Sequence, residues 1–192
     1  MSRAFLLVAD RRGTTLQRMK HLMLLRHCKS SWAEPGLADR DRALNPRGQH
    51  DAIVMGETLV ARDFRPDRIL CSTARRTRET LALLQEHLHA DCPVDFLEEL
   101  YSGPDLDYRP IIAARGGAAD WLMVIGHNPR IHVTAVELIG DGRRADQEHL
   151  EAKYPTGALA LIEFGAESWH GITEDSGRLA AFLRPHDLEH EP

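Results

Sequence analysis

The chain has 192 residues, of which 28% are charged and 43% hydrophobic, and its formal net charge is -5. This length fits one compact domain, because two domains would each have a core near the lower size limit. The acidic balance excludes a broad nucleic-acid-binding surface, but it permits a small phosphate pocket built from a few Arg, His and backbone N–H groups. Three widely spaced cysteines do not make a disulfide scaffold and favour a reducing compartment.

The two ends of the chain differ in composition from its body. Residues 1–20 contain five basic side chains and one acidic one. We predict a basic tail there, or alternatively that Met1 is an upstream start and Met19 is the true initiator. The apolar run 5–9 is too short for an export signal, and no apolar run approaches the roughly 20 residues of a membrane span. We therefore predict a soluble cytoplasmic protein with no membrane or nucleic-acid partner, one domain over 21–184 and a charged tail over 185–192.

The body alternates short apolar runs with segments of helical periodicity. Strands are predicted at 22–25, 68–71, 94–97, 121–125 and 158–164. Helices are predicted behind Asn45-Pro46, around 77–88, and from Asn128-Pro129 to a stop at Gly140, with each Asn as N-cap and each Pro as first helical residue. Strands that alternate with helices predict an α/β fold, a three-layer α/β/α sandwich with a mainly parallel central sheet.

Polar side chains follow three of the predicted strands. Arg26 and His27 follow the first, residues 72–76 follow the second, and His127 with Asn128 follows the fourth. Ligands bind beyond the carboxyl ends of the strands in open α/β sheets, so we expect these groups to meet at one sheet edge. Each pair alone is more typical of a solvated loop or helix face. Together they predict a phosphate site, because guanidinium groups match phosphate oxygens in a bidentate manner.

At these residues the chain resembles the histidine phosphatase superfamily, which has the phosphoglycerate mutase-like fold, and most closely its short SixA-type phosphohistidine phosphatases. The resemblance covers about 21–164. It rests on several motifs in a fixed order: Leu24-Leu25-Arg26-His27-Cys28-Lys29-Ser30-Ser31-Trp32, Leu44-Asn45-Pro46-Arg47-Gly48, Cys71-Ser72-Thr73-Ala74-Arg75-Arg76-Thr77-Arg78-Glu79-Thr80, Glu99-Leu100-Tyr101, Val124-Ile125-Gly126-His127-Asn128-Pro129 and Tyr154-Pro155-Thr156-Gly157.

The resemblance implies a role for individual residues. His27 would be the nucleophile that accepts the phosphoryl group, and Arg26 would bind its oxygens. Arg76 would be the second arginine, with Arg75 as the adjacent alternative. The remaining implied roles fall to His127 as the second histidine, Glu99 as the general acid, and Lys29, Ser72 and Asn128 as substrate-binding residues.

The predicted function is a phosphatase that needs no metal or cofactor and acts through a phosphohistidine on a phosphorylated protein, such as a histidine phosphotransfer domain. A phosphatase or mutase of small phosphorylated metabolites is the enzymatic alternative. A non-catalytic phosphate-binding regulatory module is the alternative of another class. The sequence contains no HExxH zinc motif, and no cysteine has the arginine six positions later that a cysteine-dependent phosphatase requires.

Cys28 departs from the small residue, usually Gly or Ala, that follows the nucleophile in relatives. We interpret it as an apolar filler, with a redox-sensitive thiol beside the pocket as the alternative.

Overall fold

The computed structural model describes residues 19–88 and 92–188. Over these residues the chain forms seven strands: β1 (Met19–Arg26), β2 (Arg68–Ser72), β3 (Val94–Leu97), β4 (Trp121–Gly126), β5 (Ile139–Gly142), β6 (Leu159–Gly165) and β7 (Gly177–Leu183). The same residues form six α-helices: α1 (Pro46–Ala61), α2 (Arg75–Leu88), α3 (Arg109–Arg115), α4 (Arg130–Leu138), α5 (Arg144–Ala152) and α6 (Pro185–Leu188). None of the helices in this part of the chain is long and apolar enough to cross a membrane.

The seven strands form one sheet in the order β3-β2-β4-β1-β6-β7-β5. β3, β2, β4 and β1 pair in parallel with one another, and β5 pairs in parallel with β7. β6 runs antiparallel to both β1 and β7. The predicted mainly parallel sheet is confirmed, with the addition of one antiparallel strand between its two halves.

Both faces of the sheet are covered by helices. Along β1, Leu22 and Leu24 belong to the core under α3, α4 and α5, whereas Met23 and Leu25 belong to the core under α1 and α2. All four side chains are fully buried. Each such burial contributes about 1.5–3 kcal/mol, which is why a short, continuous apolar run forms a central strand. The predicted three-layer sandwich is confirmed.

The two predicted Asn-Pro helix starts have different outcomes. The side chain of Asn45 accepts a hydrogen bond from the Gly48 N–H at 2.8 Å, so the predicted N-cap of α1 is confirmed. The predicted start at Asn128-Pro129 is wrong, because α4 begins at Arg130 and the Asn128 amide instead donates to the Tyr154 carbonyl.

The end of α4 and four further elements also differ from the predictions. Gly140 does not end the helix: α4 ends at Leu138, and the following residues form β5. β7, α3, α5 and α6 were not predicted.

The folded region extends beyond the predicted domain limits at both ends. Lys20, predicted to lie in the basic tail, lies within β1, where its buried ammonium group donates to Asp120 at 2.8 Å. Residues 185–188, assigned to the charged tail, form α6, and Pro185 is buried. Residues 1–18 and 189–192 lie outside the described residues, so the tail assignment for them stays a prediction.

Candidate active site

The carboxyl ends of β1, β2 and β4 lie side by side at one edge of the sheet. Arg26 pairs with Gly126 in register, and Cys71 pairs with Ile125. The residues that follow these strands therefore converge, as the sequence predicted. His27 follows β1, α2 begins shortly after β2, and His127 follows β4.

His27 is buried and its ring has a defined orientation. Its Nδ1 lies 2.8 Å from the Cys28 carbonyl oxygen, which can only accept, so Nδ1 carries the proton and Nε2 keeps its lone pair. Its backbone N–H donates to the Gly126 carbonyl at 3.1 Å and ties the residue to β4. Burial, aided by the charges of Arg76 and Arg26, lowers the pKa of His27 to about 3. The imidazole is therefore neutral at physiological pH and can act as a nucleophile.

His127 faces His27, with 5.0 Å between the ring centroids. Its Nδ1 accepts a hydrogen bond from Arg76 Nη2 at 3.2 Å, and its Nε2 lies 2.8 Å from the Ser72 hydroxyl oxygen. The Tyr108 hydroxyl accepts from the His127 backbone N–H at 3.0 Å. Burial, together with the neighbouring His27 and Arg76, lowers the pKa of His127 to about 2. His127 is therefore also neutral.

Arg76 lies on the inner side of α2, and Arg75 lies on the outer side. Arg76 is 6% exposed and shares the buried face of the helix with Thr77 and Thr80. The Thr80 hydroxyl accepts from the Cys28 backbone N–H at 3.1 Å, which ties this face to the segment that bears His27. Arg75 is exposed and pairs with Glu79 at 2.7 Å. The structure thus brings Arg76 to the site.

Arg26 and Asn128 share one acceptor, the Tyr154 carbonyl oxygen, at 2.7 and 3.1 Å. Arg26 Nε and Asn128 Oδ1 are buried and have no hydrogen-bond partner among the described residues. Burial of an unpaired donor costs about 1–3 kcal/mol, so Arg26 Nε favours an acceptor such as a phosphate oxygen. Burial and the nearby Arg76 charge lower the pKa of Arg26, which indicates that cations are concentrated here.

Two further predicted site residues, Ser72 and Lys29, differ in burial: Ser72 lies inside the site and Lys29 lies at the surface. Ser72 is fully buried and contacts His127, as described above. Lys29 is exposed and lines a cavity of about 360 Å³ together with Arg47, Thr156 and Arg184.

Among the described residues, the Glu99 carboxylate makes no hydrogen bond or ion pair with His27 or His127. That carboxylate is 53% exposed and pairs with Arg115 of α3 at 3.4 Å. The preceding residue, Glu98, lies closer to the second strand end, where it accepts from the Thr73 hydroxyl at 2.6 Å and pairs with Arg40 at 2.7 Å. The 3₁₀-helix formed by Glu98–Leu100 separates the two carboxylates in this way. In this structure the predicted general acid is thus paired with Arg115, and its role stays a prediction.

Three residues at the site were missed by the sequence analysis: Asp39, Arg42 and Tyr101. Asp39 accepts from Arg76, and Arg42 donates to Asp39 at 2.8 Å. The Tyr101 ring meets the His127 ring edge-on at 5.6 Å between centroids. The Asp-x-x-Arg spacing of Asp39 and Arg42 is a signal for a local ion pair, but nothing in the sequence pattern directs that pair to Arg76.

The chemistry of the cluster is that of an oxyanion site. Two neutral imidazoles and the guanidinium groups of Arg26 and Arg76 converge, and charge-assisted hydrogen bonds from arginine are strongest to phosphate-like anions. The Cys28 thiol is fully buried, and burial, with the Asp51 charge, raises its pKa to about 12. That thiol is therefore an apolar filler in the resting protein. Within the described residues, no three His, Cys, Asp or Glu side chains are grouped to bind a metal ion.

Comparison with known proteins identifies similar sequences and folds. Residues 22–102 match the model of the histidine phosphatase superfamily, branch 1. An uncharacterised protein of Mycobacterium leprae is 34% identical over 166 residues, which cover 84% of this chain and 99% of that protein.

Two solved structures have the same fold. The candidate phosphohistidine phosphatase SixA of Agrobacterium tumefaciens is 30% identical, with a TM-score of 0.72 over 86% of this chain and 98% of that one. The candidate phosphohistidine phosphatase SixA of Nakamurella multipartita is 27% identical, with a TM-score of 0.74 over 87% of this chain and 96% of that one.

Proposed function

Because the chain belongs to the histidine phosphatase superfamily, we propose that it is a phosphatase that removes phosphoryl groups from protein phosphohistidine through a phosphohistidine intermediate at His27. The observation that supports this most strongly is the state of His27. Its Nδ1 proton is held by the Cys28 carbonyl, and its Nε2 lone pair is unprotonated at physiological pH. A neutral imidazole nitrogen of this kind is a competent nucleophile toward phosphorus.

In the first step, His27 Nε2 forms a bond to phosphorus while the bond between phosphorus and the substrate nitrogen breaks. The substrate imidazole leaves with its electron pair and takes a proton from solvent. In the second step water attacks the phosphorylated His27, which releases inorganic phosphate and restores the imidazole. Arg26 and Arg76 would neutralise the charge on the equatorial oxygens in both steps. The neutral His127 would hold Arg76 in place through its Nδ1.

The contacts of Glu99 and Asp39 favour a substrate whose leaving group is expelled easily. Glu99 pairs with Arg115 at the surface, and Asp39 accepts hydrogen bonds from Arg42 and Arg76. Both carboxyl groups are therefore engaged with arginines and are not placed to donate a proton to a leaving group. A phosphoester needs such a proton donor because an alkoxide leaves poorly, whereas a phosphoramidate nitrogen leaves readily once it is protonated. This favours protein phosphohistidine, such as that of a histidine phosphotransfer domain, over small phosphoesters.

We place the enzyme in the cytoplasm, where the thiols of Cys28 and Cys71 stay reduced.

The experiment compares phosphate release from a phosphorylated histidine phosphotransfer domain, from phosphoramidate, from p-nitrophenyl phosphate and from phosphoglycerates. We expect the first two to be hydrolysed faster. We expect His27→Ala to lower the rate at least about a thousandfold, and the exposed His170→Ala, as matched control, to leave it unchanged. Chelator is expected to have no effect. Faster turnover of the phosphoesters would support the small-metabolite alternative, and no turnover of any compound would support a phosphate-binding module.

A further inference from the structure

The segment between β1 and α1 places a carboxylate directly on one of the site arginines. Asp39 begins a short 3₁₀-helix, Asp39–Asp41, and its side chain is 52% exposed. Its Oδ2 accepts from Arg76 Nη2 at 3.0 Å, and its own carbonyl oxygen accepts from Arg76 Nη1 at 2.6 Å. Arg76 is thus bound on both terminal nitrogens by a single residue.

The carboxylate of Asp39 is surrounded by donors that would also suit a phosphoryl group. Arg42 Nη1 donates to Oδ1 at 2.8 Å, and the Tyr101 hydroxyl donates to Oδ2 at 3.2 Å. Partial burial opposes the charge on Asp39, but hydrogen bonds from Arg42 and Arg76 hold its pKa below the ordinary value. Asp39 is therefore an anion at all physiological pH values. The guanidinium group of Arg76 links it to His127, because Arg76 Nη2 donates to both residues.

We propose that Asp39 competes with phosphate oxygens for Arg76 and so lowers the affinity of the site for free inorganic phosphate. This inference rests on the proposed function. Two anions that share one guanidinium group repel each other and divide its donors, so the carboxylate weakens a bound dianion. The consequence for a phosphatase is fast release of its product.

The surroundings of Asp39 give the carboxylate room to move when a substrate oxygen takes its place. A cavity of about 200 Å³ borders the residue and is lined by, among others, Trp32, Leu37 and Arg42. Arg42 stays in place when the Asp39 carboxylate moves, because Arg42 also donates to the Ser31 carbonyl at 3.0 Å and lies over the Trp32 ring. The carboxylate can therefore swing away from Arg76 while its segment stays folded.

Asp39→Asn removes the charge and keeps the contacts. The asparagine Oδ1 can still accept from Arg76, and the backbone carbonyl at this position continues to hold Nη1. Asp41→Asn is the matched control, since it makes the same charge change within the same 3₁₀-helix at an exposed residue whose charge acts on Arg75.

The test is titration calorimetry of the full chain with inorganic phosphate at low ionic strength in a non-phosphate buffer. We expect phosphate to bind Asp39→Asn about fivefold more tightly than wild type, which is the scale of one ion pair near a surface. We expect Asp41→Asn to change the affinity less than about twofold, and added salt to shrink the Asp39 effect. Product inhibition by phosphate should strengthen in Asp39→Asn in parallel.

Phosphate binding that is unchanged or weaker in Asp39→Asn would overturn the inference and would make Asp39 a residue that merely holds Arg76 in place. An equal gain in both variants would also overturn it, because the effect would then be one of overall charge. Neither outcome bears on the proposed function, because turnover by the wild-type protein tests that function separately. If wild type and Asp39→Asn both fail to bind phosphate, and wild type also lacks turnover, the proposed function fails as well.

Discussion

Arg76 donates a hydrogen bond from Nη2 to Nδ1 of His127, at 3.2 Å. An arginine cannot accept, so this contact requires a lone pair on Nδ1 and places the ring proton on Nε2, toward the Ser72 hydroxyl at 2.8 Å. His27 has the opposite tautomer, with its proton on Nδ1. The two facing imidazoles therefore differ: His27 keeps a lone pair on Nε2, whereas the Nε2–H of His127 is directed to Ser72.

Because both rings are held neutral, the stability of the protein should fall in mild acid. The pKa values of His27 and His127 are lowered from 6.5 to about 3 and about 2, so below pH 6.5 the unfolded chain binds protons that the folded chain does not. The free energy of unfolding should then decrease as the pH falls through that window, by up to about 1.4 kcal/mol per pH unit for each ring. Urea unfolding at several pH values measures this. The slope should flatten in His127→Gln, and an equally steep slope in that variant would assign the loss to other groups.

The thiol next to His27 should be inert in the folded protein. Cys28 and Cys71 are fully buried, and burial raises the pKa of each to about 12. Cys92 is half-buried. We expect iodoacetamide to modify Cys92 alone in the native protein and all three cysteines in denaturant, as read by peptide mass spectrometry. Native modification of Cys28, accompanied by loss of activity, would restore the hypothesis of a redox-sensitive thiol.

Gly157 fixes the backbone of Arg26 and His27 from the side of β6. Its N–H donates to the carbonyl oxygens of both Arg26 and His27 at 3.1 Å, and its φ is +76°. A Cβ there would lie 2.8 Å from Pro185 Cγ, a ring atom with little freedom to move. We expect Gly157→Ala to destabilise the protein by about 1–3 kcal/mol and to lower kcat/KM, because relief of the clash displaces Arg26 and His27.

Gly36→Ala is the control for the change at Gly157. Gly36 has a similar φ of +87°, but no atom lies within 4 Å of an added Cβ. Gly36→Ala should lower the free energy of unfolding by the backbone strain alone, about 1 kcal/mol, and activity should be retained. Denaturant unfolding and steady-state kinetics of the two variants separate the effects. Equal costs in both would mean that the contact with Pro185 has no influence.

Sequence patterns predicted the parts of the fold that rest on continuous burial. β1 and β4 are short apolar runs whose alternate residues enter opposite cores, and such runs favour a central strand over any other position. β5 was missed because its four residues, Ile139–Gly142, contain two glycines and one aspartate and so lack any strand pattern. β7, which pairs antiparallel with β6, includes Arg178 and Gly177 and has an irregular register.

The candidate site was predictable where a residue directly follows a strand. The end of β1 fixes Arg26 and His27, and the end of β4 fixes His127. Asp39 reaches the site from a 3₁₀-helix in a long connection, and no periodicity in the sequence specifies where such a segment lies. The Asn128-Pro129 pair predicted a helix cap. The actual partner of the Asn128 amide, the Tyr154 carbonyl, is 26 residues away in the sequence. Contacts of that range depend on the tertiary fold.

The most direct test of the mechanism is to trap the phosphorylated enzyme. The full chain is mixed with phosphoramidate, quenched in alkali within the first turnovers, digested and analysed by mass spectrometry. We predict one added phosphoryl group, stable in alkali and labile in acid, on the peptide that contains His27, and none in His27→Ala. Turnover by wild type with the phosphoryl group on any other residue, or undiminished turnover by His27→Ala, would contradict the account.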